Sequence, residues 1–266
     1  MRTTLTLIVS LAAGLMAAAS TALAAGETKA PADIDFSFEG PFGSYDRAAV
    51  QRGFQVYRQI CSSCHSLDLF AFRNLTGIGY SEDMAKAIAG EFTVTDGPDD
   101  QGEMFQRPAT LSDHMPAPFP NEEAARVANN GAYPPDLSVI AQARGGGPEY
   151  LHALLTGYGQ PPQGVALRPG MYWNDYFPGN RLAMPQPLYE GMVDYQDGAE
   201  ASVEQMARDV THFMMWIAEP HMEARKQMGF SFMLFMAVFT VLLYLTMKRI
   251  WQPVKEGRNV MGDDAA

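Results

Sequence analysis

From Gly229 to Met247 the chain runs for 19 residues, GFSFMLFMAVFTVLLYLTM, without a charge or a proline. As an α-helix this run is about 28 Å long, close to the hydrocarbon thickness of a bilayer. Arg225 and Lys226 precede it, and Lys248, Arg249, Lys255 and Arg258 follow it. A soluble core rarely needs so unbroken a run between basic brackets, so a single membrane span is expected at 221–250. The basic excess on its far side directs a short tail, 251–266, into the cytoplasm. The other end agrees. Met1-Arg2, an apolar stretch from Leu5 to Ala19 and the small-residue site Thr21-Ala22-Leu23-Ala24 read as a cleaved secretory signal, residues 1–24. Its apolar core is shorter than the roughly 20 residues a span needs. Residues 25–220 are therefore expected as an exported, periplasmic body.

That body is acidic in one region. Between Glu82 and Glu123 ten carboxylates (82, 83, 91, 96, 99, 100, 103, 113, 122 and 123) face only Lys86 and Arg107. Such a surface does not suit nucleic acid, although it can steer a basic partner. For any single carboxylate a solvated loop is the better reading. Asp96 to Glu103 lacks the alternating acids and the closing glutamate of a calcium loop, which leaves it a solvated turn.

Helical spacing predicts a helix from about Arg47 to Ile60, with Asp46 as N-cap and Val50, Phe54 and Tyr57 on one face. A second is predicted over Val203 to Ala218, where Ser202 and Gln205 make a capping-box pattern ahead of an apolar stripe ending at Ile217. Shorter helices are expected at Asn121–Asn129 and around Glu149–Leu155. The rest is rich in Gly, Pro, Asp and Asn, with no strand period or internal repeat. A mostly α body with extensive loops results. So much irregular backbone makes sense if the loops wrap a large apolar group.

Both cysteines of the chain fall in Cys61-Ser62-Ser63-Cys64-His65, directly after the first predicted helix. A zinc site would need another Cys or His pair at matching spacing, and the other histidines, 114, 152, 212 and 221, are scattered. A redox dithiol belongs at a strand-to-helix junction in a βαβ pattern, which is missing here. C-x-x-C-H is the attachment signature of c-type haem, and it gives every position a job. Cys61 and Cys64 become thioethers, and His65 presents its imidazole to the iron while its other ring nitrogen donates to a backbone carbonyl. One covalent haem is therefore expected, with both thiols consumed.

The sixth ligand separates electron transfer from small-molecule chemistry, because a methionine thioether raises the potential and closes the iron. Most of the 17 methionines lie in the signal, the span or helical stripes, where packing is the default role. Two occupy proline-flanked loops, Met115 in HMPAPFP and Met184 in NRLAMPQPLY. Met184 suits a ligand that arrives late, shortly before the closing helix, and Met115 is the runner-up.

The stretches RGFQVYRQICSSCHSL, ANNGAYPPDLSVIAQAR, YLHALLTGYGQPP, YFPGNRLAMPQPLY and AEPHMEARKQMG resemble the cytochrome c1 family, the haem subunits of ubiquinol-cytochrome c oxidoreductase (cytochrome bc1) complexes. The resemblance covers about 34 to 258. It implies a class I cytochrome c-like haem domain on one C-terminal transmembrane helix, in the inner membrane of a bacterium. It also implies axial ligation by His65 and Met184, contacts from Arg144 and Tyr150 to a haem propionate, and Pro135 packed on the haem near the imidazole. Some bacterial members carry a disulfide near the methionine loop. This chain has no cysteine for one, so packing and prolines alone are expected to hold that loop. The implied partners are cytochrome b, the Rieske iron-sulfur protein and a cytochrome c acceptor, in a dimeric complex. Such a chain is an electron carrier and no enzyme by itself. The competing readings are a haem peroxidase or reductase with an open iron, and a haem carrier serving another oxidase.

Overall fold

A computed structural model describes residues 28–257. The expected signal, 1–24, and most of the expected tail lie outside the described residues. The described chain forms two compact units, residues 28–37 with Tyr45–Pro220, and Phe38–Ser44 with 221–257.

The first unit is built on two crossing helices. Helix α1, Arg47–Gln59, starts where the Asp46 carboxylate accepts from the Ala48 and Ala49 amides, and it buries Val50, Phe54, Val56 and Tyr57. Its partner is the last helix of the unit, Val203–Ala218, which buries Met206, Val210, Phe213, Met214 and Trp216. Ser202 caps it by accepting from the Gln205 amide. The capping box is only half made. The Gln205 side chain donates forward to Asp209 at 3.0 Å, because Asp209 is fully buried and needs donors. Arg52 of α1 supplies two more, at 2.9 Å each, from Nε and Nη2. At the crossing there is no room for a side chain. A Cβ on Gly53 would lie 2.0 Å from the Asp209 carbonyl oxygen and 2.7 Å from Phe213 Cβ. An aromatic cluster closes the contact, with Phe54 and Phe213 centroids 5.4 Å apart and Phe70 6.0 Å from each.

Between these helices come a 3-10 turn at Cys61–Ser63, a second at Phe72–Ile78, and α2, Glu82–Gly90. Then follow β1, Thr93–Asp96, and β2, Phe105–Pro108, paired antiparallel with Thr93 opposite Pro108. After them come α3, Glu122–Ala128, α4, Ile140–Ala143, and α5, Gly147–Thr156. A second hairpin pairs β3, Tyr172–Trp173, with β4, Arg181–Leu182, and the Val203–Ala218 helix is α6. The mostly helical, loop-rich body is as the sequence predicts. The two hairpins, α2 and the four-residue α4 are additions, and strands of two to four residues carry too little alternation to be read as a period. Within 96–103 the Asp99 carboxylate accepts from the Gln101 and Glu103 amides, which makes that segment the loop of the first hairpin.

The second unit is α7, Met222–Lys255, with the turn Phe38–Ser44 against its start. From Met228 to Ile250 its large apolar side chains are exposed, as suits lipid contact, while Met222 at its start is buried. Among the described residues it is the one helix long and apolar enough to cross a membrane.

Candidate functional site

The cysteine-histidine motif is fixed to the end of α1 by its own middle residues. Ser62 Oγ donates to the Arg58 carbonyl (2.7 Å) and Ser63 Oγ to that of Ile60 (2.8 Å). These bonds satisfy carbonyls that a helix end leaves without partners. The turn is then closed by the Cys64 and His65 amides, which both donate to the Cys61 carbonyl (3.1 and 2.9 Å). Buried Tyr57, one turn back in α1, donates its hydroxyl to the His65 carbonyl at 2.8 Å.

The imidazole itself is aimed from 70 residues away. His65 Nδ1 lies 2.8 Å from the Pro135 carbonyl oxygen. A carbonyl only accepts, so the ring proton sits on Nδ1 and Nε2 keeps its lone pair. Burial holds the imidazole below its ordinary pKa, against the raising effects of the Pro135 carbonyl and Asp136, and so favours the neutral ligand form. Four more bonds tie the same two segments. Ser66 Oγ and the Asp68 amide donate to Asp136 Oδ2, both at 2.8 Å. The Leu69 amide donates to Ser138 Oγ (3.1 Å), and the Leu137 amide to the Ser66 carbonyl (3.0 Å). Asp136 also accepts from the Ser138 amide. Burial would raise this carboxyl, but the hydrogen bonds led by the Asp68 amide outweigh it and hold it below its usual value.

Cys61 and Cys64 are both free thiols. Burial, and then the neighbouring Cys64, push the Cys61 thiol up to about 12. Reactive dithiols have depressed values, so this environment speaks against redox exchange. Among the described residues no group of three or more His, Cys, Asp or Glu could hold a metal ion. His152 and His212 instead flank Phe36 edge-on, with centroids 6.5 and 5.2 Å away. The donor set fits a c-type haem: two unpaired thiols on one turn, followed by an imidazole whose outer nitrogen is already satisfied.

The remaining candidates occupy four places. Met115 is 3% exposed, a core side chain whose amide donates to the Phe70 carbonyl. Met184 is only half-buried, and its carbonyl accepts from Tyr158 Oη at 3.1 Å. Its loop is held by more than packing and prolines, and this corrects the sequence reading. Asn174, fully buried, donates to the Leu154 carbonyl (2.8 Å) and accepts from the Tyr176 and Phe177 amides (3.0 and 3.1 Å). Asn180, in the left-handed region at φ 59°, donates back to the Asn174 and Asp175 carbonyls. Arg144 is exposed at the end of α4, its Nη1 donating to the Ala143 carbonyl. Tyr150 lies half-buried on α5, and burial raises its phenol while the positive charge of Arg144 opposes that shift.

Tyr57, Asp136, Ser138 and Asn174 are the residues sequence reasoning missed. Pro-Pro-Asp-x-Ser at 134–138 carries a local turn signal, but nothing local announces that its carboxylate reaches back to residue 68.

In the acidic region much of the charge is internally balanced. Arg107 pairs with Asp96 and Asp113, Lys86 with Glu82, Arg58 with Glu91, and Arg126 with Glu122. Asp99, Asp100 and Glu103 form no salt bridge with the described residues and cluster at the first hairpin's tip.

The sequence model of the Cytochrome C1 family matches residues 36–254. Among the relatives, "Cytochrome c1 1, heme protein, mitochondrial" of Arabidopsis thaliana is 50% identical over 84% of this chain and 73% of its own. "Cytochrome c1" of Rhodospirillum rubrum is 45% identical over 83% and 87%. "Cytochrome b/c1" of Bradyrhizobium diazoefficiens is 46% identical over 85% of this chain but only 36% of its own.

Proposed function

Since the chain belongs to the cytochrome c1 family, the haem subunits of bc1 complexes, we propose that it takes single electrons from a Rieske iron-sulfur protein and passes them to a cytochrome c, anchored beside cytochrome b. The observation that carries the reading is the His65 Nδ1 contact to the Pro135 carbonyl, at 2.8 Å, within a motif whose two thiols remain unpaired.

In this reading Cys61 and Cys64 would hold the haem covalently, and His65 Nε2 and Met184 Sδ would ligate its iron. The haem supplies a one-electron couple. The work of the chain is positioning. Pro135 fixes the ring's tautomer and Asp136 fixes the segment that carries Pro135. A thioether in the sixth position raises the potential and excludes small molecules. Arg144 and Tyr150 would meet a propionate, where a guanidinium offers charge-assisted donors. The expected division stands with it: haem body at 25–220 on the periplasmic side, anchor at 221–250, tail at 251–266 in the cytoplasm. Asp99, Asp100 and Glu103 would face a basic acceptor, which electrostatic steering would bring in faster at low salt.

The test is a pyridine haemochrome spectrum and redox titration of the membrane-extracted protein. One c-type haem of high potential, with no carbon monoxide binding to the reduced protein, is expected. Rapid carbon monoxide binding at neutral pH would replace this reading with an open-iron peroxidase or reductase. Met184→Leu should lower the midpoint, whereas Met115→Leu, a volume-conserving core swap, should leave it in place. The opposite pattern would make Met115 the ligand. Co-purification without cytochrome b or a Rieske protein would point to a carrier for another oxidase.

A further inference from the structure

The turn Phe38–Ser44 interrupts the first unit and belongs by its contacts to the membrane helix. Lys226, four residues into α7, donates its ammonium to the Phe38 carbonyl (2.6 Å) and the Gly43 carbonyl (3.1 Å). The turn is tight. Gly40 has φ 67°, and a Cβ on Gly43 would lie 1.8 Å from the Glu39 carbonyl oxygen. So shaped, the turn presents Pro41 and Phe42 at its tip, and Phe42 is 81% exposed. So exposed a phenylalanine at the tip of a turn is not core material. Its ring meets that of Phe230 edge-on, with centroids 6.1 Å apart. Phe230 is the second residue of the 19-residue apolar run and is itself exposed.

We propose that this turn is a membrane-interface anchor: Phe42 enters the boundary between lipid headgroups and acyl chains beside Phe230, while Lys226 holds the turn against the helix. The occupant of the exposed face is lipid, because the Phe42 ring is continuous with the lipid-facing run through Phe230. The placement also suits the cation. Lys226 lies three residues before the run begins, at headgroup level, and it spends its donors on the Phe38 and Gly43 carbonyls of the turn. Aromatic side chains at such a level fix the depth and rotation of a span. The inference rests on α7 crossing the membrane, which the test measures separately.

The experiment uses the full haem-loaded chain in phosphatidylcholine vesicles, where Cys61 and Cys64 are thioether-bound and an added cysteine takes a nitroxide label. Labels are placed singly at Phe42→Cys, at Phe239→Cys in the middle of the run, and at Gly159→Cys, whose added Cβ meets nothing within 4 Å. Power saturation then compares collisions with oxygen, which concentrates in the bilayer, and with a water-soluble nickel chelate. The oxygen-to-nickel ratio at 42 is expected several-fold above that at 159 and below that at 239. A ratio at 42 equal to that at 159, with 239 bilayer-like, overturns the anchor and leaves α7 a span. A label at 42 shielded from both reagents also overturns it, in favour of a protein partner on the same face. A water-like ratio at 239 removes the span and the anchor together.

Discussion

Gly53→Ala should loosen the haem body more than its size suggests. The added methyl would lie 2.0 Å from the Asp209 carbonyl oxygen, where an ordinary contact is at least 3.4 Å, so α1 and α6 must part by about 1.4 Å at the crossing. The obstacle is backbone, with no flexible end to swing aside. Overpacking of this kind costs about 1–3 kcal/mol, and a radial gap of about 1 Å forfeits up to half of each dispersion contact between the facing residues. Val50, Phe54 and Phe213, all within 2% of full burial, are the contacts at stake. Against this, alanine regains about 1 kcal/mol of helix propensity over glycine. The net expectation is a loss of about 2 kcal/mol, or about 4–8 °C in melting temperature for a body of this size. The control is Gly90→Ala at the end of α2, where a Cβ meets nothing within 4 Å and the same substitution should be neutral or mildly stabilising. Urea unfolding of the detergent-solubilised holoprotein, followed by far-ultraviolet circular dichroism, reads both. If Gly53→Ala matches Gly90→Ala, propensity governs both sites and the close crossing does not exist.

Other outcomes follow from the same contacts. Asn174→Leu removes the partner of three part-buried backbone groups, at up to about 1–3 kcal/mol for each group left unsatisfied, and frees the segment leading to Met184. Reduced Asn174→Leu protein should therefore bind carbon monoxide where the parent does not, and retained exclusion would show that the loop is held elsewhere. The Asp136 carboxyl is depressed in the folded state, so its stabilisation is fully present above the unfolded value of about 3.9 and is lost as pH falls through the lower folded value. Asp136→Asn should flatten the acid limb of a stability-against-pH curve, and an unchanged limb would exclude this group as its source. Asp100→Lys with Glu103→Lys is expected to slow electron transfer to a basic cytochrome c several-fold at low salt and to reduce the salt slope. A rate that does not move would place docking on another face. Asp96 is unsuitable for that experiment, because its partner Arg107 also holds Asp113 and the hairpin would suffer.

The parts of this molecule that a sequence displays are those whose cause is local. Asp46 and Ser202 sit one residue ahead of periodic apolar stripes, and both helices begin where they indicate. The span announces itself by length and absence of charge, and the five-residue motif by its spacing. What stayed hidden depends on residues far apart. Gly53 looks like a weak point in a helix until the carbonyl of residue 209 is found against it. Asn174 sits in a loop stretch that invites the word flexible, yet its amide organises the turn before Met184. Gln205 shows how a local signal can mislead. Its side chain has a capping role open to it and serves a buried carboxylate instead, because an unsatisfied buried charge costs more than a helix end exposed to water.

The clamp between residues 65–69 and 135–138 has a consequence for how the protein matures. The attachment motif is complete once five consecutive residues exist, but the carbonyl that orients its imidazole is delivered only after another 70 have been made and folded back. The five-residue motif and the orientation of its imidazole are thus completed at different points of the chain. A chain stopped before Pro135 would carry the whole five-residue motif with no carbonyl to orient its imidazole.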